Sequence, residues 1–174
     1  MRTFSLALVV LASVAHAGWK QEGDVAATFD AKGPAGFKIH GTAKNVKVVD
    51  DGKQLVISLS IMDVDTDNSL RNRHLQEDTQ AATLPNISLT VPLEQLKAPQ
   101  DGATAEGKAT GTFALHGQTR SLEFTYKATC AAGACDITGT LPVLLSDFGV
   151  KVRSYLGVTV KPDITVGASF RLKR

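Results

Sequence analysis

The sequence predicts an all-β chain that closes into an eight-stranded antiparallel barrel, with one or two short helical pieces. Three observations carry this. Apolar and polar residues alternate with a period of two in eight separate segments, which is the pattern of half-buried strands. Beyond the N-terminal apolar run, no long helical periodicity competes with it. Glycine, aspartate and proline punctuate the segments, so successive strands are joined mainly by hairpins, and closure leaves no unpaired edge.

The chain has 174 residues, a length that favours one domain. Residues 1–17 read as a secretory signal peptide. Arg2 gives a positive start, Phe4 to Val14 is apolar, and Ala15-His16-Ala17 is an A-x-A cleavage site. The run is too short to span a bilayer. The barrel domain is therefore expected at 18–174, in a protein exported from the cytoplasm.

The strands follow in order. Val25, Ala27 and Phe29 mark the first, and Phe37, Ile39, Gly41 and Ala43 the second. After a turn at Asp50-Asp51-Gly52, Leu55, Ile57, Leu59 and Ile61 share one face. Ser69 to Ala82 is polar and reads as a short helix capped by Asn68 or Ser69. Ile87, Leu89 and Val91 form the next row. A loop from Ala98 to Gly107 precedes Ala109, Gly111, Phe113 and Leu115, and a turn over His116 to Arg120 returns the chain through Leu122, Phe124, Tyr126 and Ala128. The rows Ile137, Gly139, Leu141, Val143 and Ile164, Val166, Ala168, Phe170 complete the barrel. Ser146 to Gly157, between them, reads as a loop with a helical turn.

Cys130 and Cys135 close a tight hairpin in "TCAAGACD". In an exported chain this pair reads as a disulfide. The formal net charge is only +2, which offers no basic excess for nucleic acid. An outer-membrane barrel needs aromatic girdles at both rims. Aromatic residues are 6% of the chain and lie mostly within the strand rows, so a barrel with its apolar side inward fits better, not an integral membrane protein.

Eight inward positions are Gly or Ala: Ala27, Gly41, Ala43, Ala109, Gly111, Ala128, Gly139 and Ala168. Either the lumen keeps room for one long apolar ligand, or these residues face bulky partners and mark close strand packing. Residue sizes alone leave the two readings even. A bulky side chain at Gly111 or Ala128 is expected to block such a slot.

The stretch "DVDTDNSLRNRH" places Asp63, Asp65 and Asp67 at the first, third and fifth positions of a calcium loop. Its twelfth position, which needs a bidentate glutamate, is His74, and Arg71 and Arg73 bring positive charge where the cation would sit. No metal site is expected there. His40, His74 and His116 stand isolated, without a nucleophile elbow or a paired-histidine motif, and no catalytic residue or cofactor is assigned.

The same stretch resembles the YceI-like, lipocalin-like family. Asp63, Thr66, Asn68, Arg71, His74 and Leu75 match its strand-to-helix segment, "GTFALHGQTR" its glycine-rich hairpin, and "SDFGV" its Asp-Phe-Gly signature. The resemblance implies an extended eight-stranded lipocalin-like barrel in the bacterial periplasm that binds polyisoprenoid or related amphiphilic lipids in an apolar channel. On that view the slot reading gains, and Asp63 to His74 is a corner near one barrel end whose charged side chains pair with each other. Candidate lipid-binding residues are Phe37, Ile39, Ile57, Leu59, Phe113, Phe124, Tyr126, Leu141, Val166 and Phe170. The departures are Leu145, where the family has Arg, Asn72, where it has Asp, and a first strand that offers Phe29-Asp30 in place of the typical opening. The main alternative is an enzyme acting on a lipid or quinone, with Asp63, Arg71 and His74 meeting inside the barrel. Association of two copies into a homodimer is left open.

Overall fold

The computed structural model describes residues 18–33, 37–152, 154–155, 158–159 and 161–174. The expected signal peptide lies outside them. The strands are β1 (Lys20–Lys32), β2 (Lys38–Ala43), β3 (Lys47–Asp50), β4 (Gln54–Ser60), β5 (Val64–Asp65), β6 (Asn86–Pro92), β7 (Thr104–Leu115), β8 (Gln118–Ala131), β9 (Ala134–Leu144), β10 (Ser154–Tyr155), β11 (Val158–Thr159) and β12 (Asp163–Lys173). One α-helix, α1 (Ser69–Asp78), stands between β5 and β6.

Ten of these segments make eight staves, and β10 and β11 form a separate two-stranded sheet. β2 and β3 both pair with β1 and form one interrupted stave, and β5 continues the line of β4 against β2. Around the barrel the order is β1, β2/β3, β4/β5, β6, β7, β8, β9 and β12, and β12 returns to pair antiparallel with β1 from Lys20↔Lys173 to Ala31↔Ile164. The closed eight-stranded antiparallel barrel is thus the observed fold. β3 carries only one buried side chain, Val48, so its alternation was too short to be visible in the sequence.

Two hairpins set the long wall. His116 (φ 52°) and Gly117 (φ 70°) turn β7 into β8, and Ala132 (φ 53°) and Gly133 (φ 76°) turn β8 into β9. Both are two-residue loops with positive φ at both positions, the geometry that matches strand twist. The first is therefore tighter than the turn expected over His116 to Arg120, because Gln118 to Arg120 already belong to the ladder. Cys130 and Cys135 lie directly opposite each other in the β8–β9 ladder and form the disulfide.

The alternation holds on both faces. Outward rows carry Thr, Lys and Glu, with cross-strand pairs such as Lys108–Glu123 at 2.7 Å and Lys127–Glu106 at 2.8 Å. Inward residues do not coalesce into one core. One buried cluster gathers Phe113, Phe124, Tyr126, Leu141 and Phe148. Another gathers Val25, Ala27, Val46, Leu55, Phe170 and Leu172. Space remains between them.

The two barrel ends differ. Trp19, Arg174 and the disulfide lie at one end; the guanidinium of Arg174 covers the Trp19 ring at 4.6 Å. At the other end lie α1, the β7–β8 turn and the 3₁₀ turn Leu145–Phe148. They are called the disulfide end and the helix end below.

Candidate functional site

The lumen holds two apolar chambers. The disulfide-end chamber has a volume of about 330 Å³ and is walled by Leu55, Ile57, Phe124, Tyr126, Ile137 and Phe170 among others. The helix-end chamber has a volume of about 260 Å³ and is walled by Phe29, Ile39, Ile61, Leu75, Val150 and Ile164 among others. Ala27, Leu59, Ile87, Phe113 and Val166 border both, so the two meet at a shared waist. The first alone is within the size range of small-molecule sites, which lies at about 300–1,000 Å³.

Nine of the ten residues expected to line the slot do so. Ile57, Phe124, Tyr126, Leu141 and Phe170 face the disulfide-end chamber, Ile39 the helix-end chamber, and Leu59, Phe113 and Val166 both. Phe37 does not. It stands 56% exposed at the base of the β1–β2 hairpin, where the strand register has run out and alternation no longer fixes direction. Tyr126 faces the lumen without an orphan hydroxyl, because its oxygen accepts the backbone N–H of Lys97 at 2.7 Å.

The small inward residues divide between the two sequence readings. Ala27, Ala43, Ala128, Gly139 and Ala168 border the chambers. Gly41 also borders the helix-end chamber, yet its bare Cα is where the Phe29 ring lies; a Cβ there would come to 2.1 Å of that ring. Gly111 borders neither chamber. A Cβ there would meet Leu89 at 2.8 Å and the carbonyl of Thr90 at 3.1 Å, so it is a close-packing glycine, and a bulky residue there disturbs the wall instead of filling the slot. Gly139 is the opposite case: an added Cβ meets only the Thr125 carbonyl, at 3.6 Å.

The helix end brings polar groups to the lumen. Arg71, His74, Leu75 and Asp78 project from α1 at i, i+3, i+4 and i+7, one face of the helix, and all border the chamber with Thr66, Thr79 and Lys151. The sequence placed Arg71 and His74 inside the barrel only under the enzymatic alternative and did not identify the face as a whole, because three of its four residues are polar and a search for apolar stripes passes over it. The i, i+3, i+4, i+7 spacing itself was the available signal. Leu145, a departure from the family pattern, also borders this chamber.

The corner before α1 is built from amides as much as from charges. Asn68 caps the helix by accepting the Arg71 N–H at 3.0 Å. The Asn72 oxygen accepts the backbone N–H (2.9 Å) and hydroxyl (2.6 Å) of buried Thr66, and its NH₂ donates to Asp65 at 2.9 Å. The bond from Asn72 first, and the Asp67 N–H second, hold the Asp65 carboxyl below its ordinary pKa. Asp63 accepts from Asn45 at 3.1 Å, and Arg71 donates to the Thr66 carbonyl at 3.1 Å. The expected mutual pairing of charges within the corner is corrected accordingly: Asp63, Asp65 and Arg71 are satisfied by amides and backbone, and Arg73 pairs beyond the corner with Glu77, at 3.9 Å on exposed helix.

Asp63, Arg71 and His74 do not converge. Arg71 and His74 border the chamber, whereas Asp63 is turned to Asn45 and borders neither chamber. His40 is exposed and 2.8 Å from Asp30. His116 is structural: its Nδ1 faces the Phe148 carbonyl at 2.8 Å, so Nδ1 carries the proton. Phe148, fully buried, meets Phe113 edge-on at 5.4 Å between ring centres and packs in the core cluster at this end. Among the described residues, no helix is long and apolar enough to cross a membrane.

The YceI-like domain family model matches residues 10–172. No curated protein matches the sequence. The fold is similar to that of a polyisoprenoid binding domain from Saccharophagus degradans implicated in plant cell wall breakdown (TM-score 0.72, 12% identity, covering 90% of this chain and 97% of that one). It is also similar to BcnA of Burkholderia cenocepacia (0.68, 15%, 84% and 95%) and to a YceI protein of Campylobacter jejuni (0.57, 19%, 100% and 99%).

Proposed function

Because the chain belongs to the YceI-like domain family, we propose that it is a non-enzymatic periplasmic carrier or store for a long-chain isoprenoid-type or other amphiphilic lipid. One observation carries this reading. The barrel turns its apolar rows inward yet leaves two adjoining chambers, with five wall residues in common, between separate core clusters. Each methylene moved from water into such a lumen contributes about 0.8 kcal/mol, so an extended chain binds through length, with few directed contacts. The binding described for the Saccharophagus domain agrees with it.

Arg71, His74, Asp78 and Lys151 border the helix-end chamber, and Lys97 and Arg174 border the disulfide-end one, each in an otherwise largely apolar wall. The larger gathering of such groups at the helix end supports an orientation in which the lipid tail occupies the disulfide-end chamber and its polar head lies near Arg71, His74 and Lys151. The separation of Asp63 from Arg71 and His74 removes the group on which the enzymatic alternative was built.

Native mass spectrometry of protein purified from its own periplasm tests the reading. A lipid-sized adduct that organic solvent removes, and whose extract contains a long-chain amphiphile, is the expected result. Protein recovered from that compartment without any such adduct contradicts it.

A further inference from the structure

Among the described residues, five large apolar side chains stand markedly exposed. Four of them, Phe37, Met62, Leu70 and Leu144, sit at the helix end, and only Val49 sits toward the other. Phe37 and Leu70 are 56% and 50% exposed, and they flank Arg71, whose guanidinium lies 5.8 Å from the Phe37 ring centre while bordering the chamber.

Lysines stand at the same end. Lys32 stands directly opposite Lys38 in the β1–β2 ladder, and the Lys161 N–H donates to the Lys32 carbonyl at 3.0 Å. Lys151 is exposed on the chamber rim. Like charges opposite each other weaken a strand pair, and among the described residues no ion pair answers any of these four. The nearby carboxylate Asp30 is taken by His40, and Asp163 begins β12 at the same rim. The disulfide end also opposes two lysines, Lys20 and Lys173, but there Glu22 answers Lys173 at 3.6 Å. Exposed apolar groups set among unanswered cations, at the mouth of an apolar chamber, match the interfacial region of an anionic membrane.

We propose that the helix end of the barrel is a docking face for the surface of an anionic lipid bilayer. Phe37 and Leu70 enter the headgroup–acyl boundary, and Lys32, Lys38, Lys151 and Lys161 rest against lipid phosphates. This takes the lipid-carrier reading as its premise: docking sets the chamber mouth where a lipid leaves or enters the membrane.

The test is sedimentation of the purified protein with vesicles of equal parts phosphatidylglycerol and phosphatidylcholine, against vesicles of phosphatidylcholine alone. The expected result is binding to the anionic vesicles that salt weakens. Lys32→Glu/Lys38→Glu should weaken it by more than tenfold, taking about fivefold per lysine charge at a surface. Phe37→Ser/Leu70→Ser should reduce it as well, and Val49→Ser should leave it unchanged. Wild-type protein that ignores anionic vesicles, or helix-end variants that bind as wild type does, would overturn the proposal. Solvent-extracted lipid is measured on the same preparations. Retained lipid without vesicle binding sinks the docking face alone, whereas vesicle binding by protein that never carries lipid sinks the carrier reading alone.

Discussion

The disulfide end and the helix end of this barrel are held by different physics. At the disulfide end, long regular ladders run to a two-residue turn, the Cys130–Cys135 bond crosses it, and exposed charges finish the rim: Arg171 reaches Glu22 at 2.9 Å and Asp136 at 2.7 Å. At the helix end the ladders give way to a cap, an amide network around Asn72 and the fully buried Phe148. One end is stabilised by backbone and covalent closure, the other by side chains that must each be the right shape. More of the charged groups that border the lumen stand at the helix end, although Lys97 and Arg174 border it at the other.

Substitutions at the two ends sharpen this contrast. Phe148→Ala should have the largest effect, a loss of about 3–5 kcal/mol from the emptied volume, read from the denaturant midpoint. A loss well below that would mean the helix end does not rest on the packing of Phe148. Replacing both cysteines by alanine should cost about 2 kcal/mol by the loop-entropy account, and lipid content should survive it, since the ladder around the bond remains.

Asn72→Asp comes next. An aspartate cannot donate to Asp65 and sets a second carboxylate beside it, so Tm should fall by roughly 3 °C at neutral pH. The pH dependence has a definite sign. Asp65 has a folded pKa below its ordinary value, so its contribution is present above the unfolded pKa and is lost as pH falls through the folded one. The variant lacks the bond that does most of this lowering, and the two melting curves should converge in acid. A deficit that stays constant with pH would contradict this account of the corner. Smallest of all, Arg171→Ala should leave the denaturant midpoint almost unchanged despite its two carboxylates, because all three groups are exposed.

The disulfide end was also the more legible in sequence. Period-two alternation identified the strand rows of the β7–β8–β9–β12 wall, and the cysteine spacing identified its cross-strand bond. Its limits appear where other forces choose direction. Phe37 has the right parity but lies past the last paired residue of β2. Gly111 and Gly139 look alike in an alternating row, yet one meets Leu89 and a backbone carbonyl while the other faces open space; only the third dimension separates them. The α1 face at Arg71, His74 and Asp78 is invisible to any search that equates inward with apolar. Asn72 looked like a simple departure from the family pattern, and its role in joining Asp65 to Thr66 depends on a contact across the corner that spacing does not reveal.

Solvent-extractable lipid per mole of protein, compared between the wild type and Gly139→Phe, measures the central claim most directly. The added ring enters the disulfide-end chamber from a position whose nearest neighbour leaves it room. The account predicts a folded barrel whose lipid content drops to background; a folded Gly139→Phe barrel that still carries the wild-type amount of lipid would contradict it.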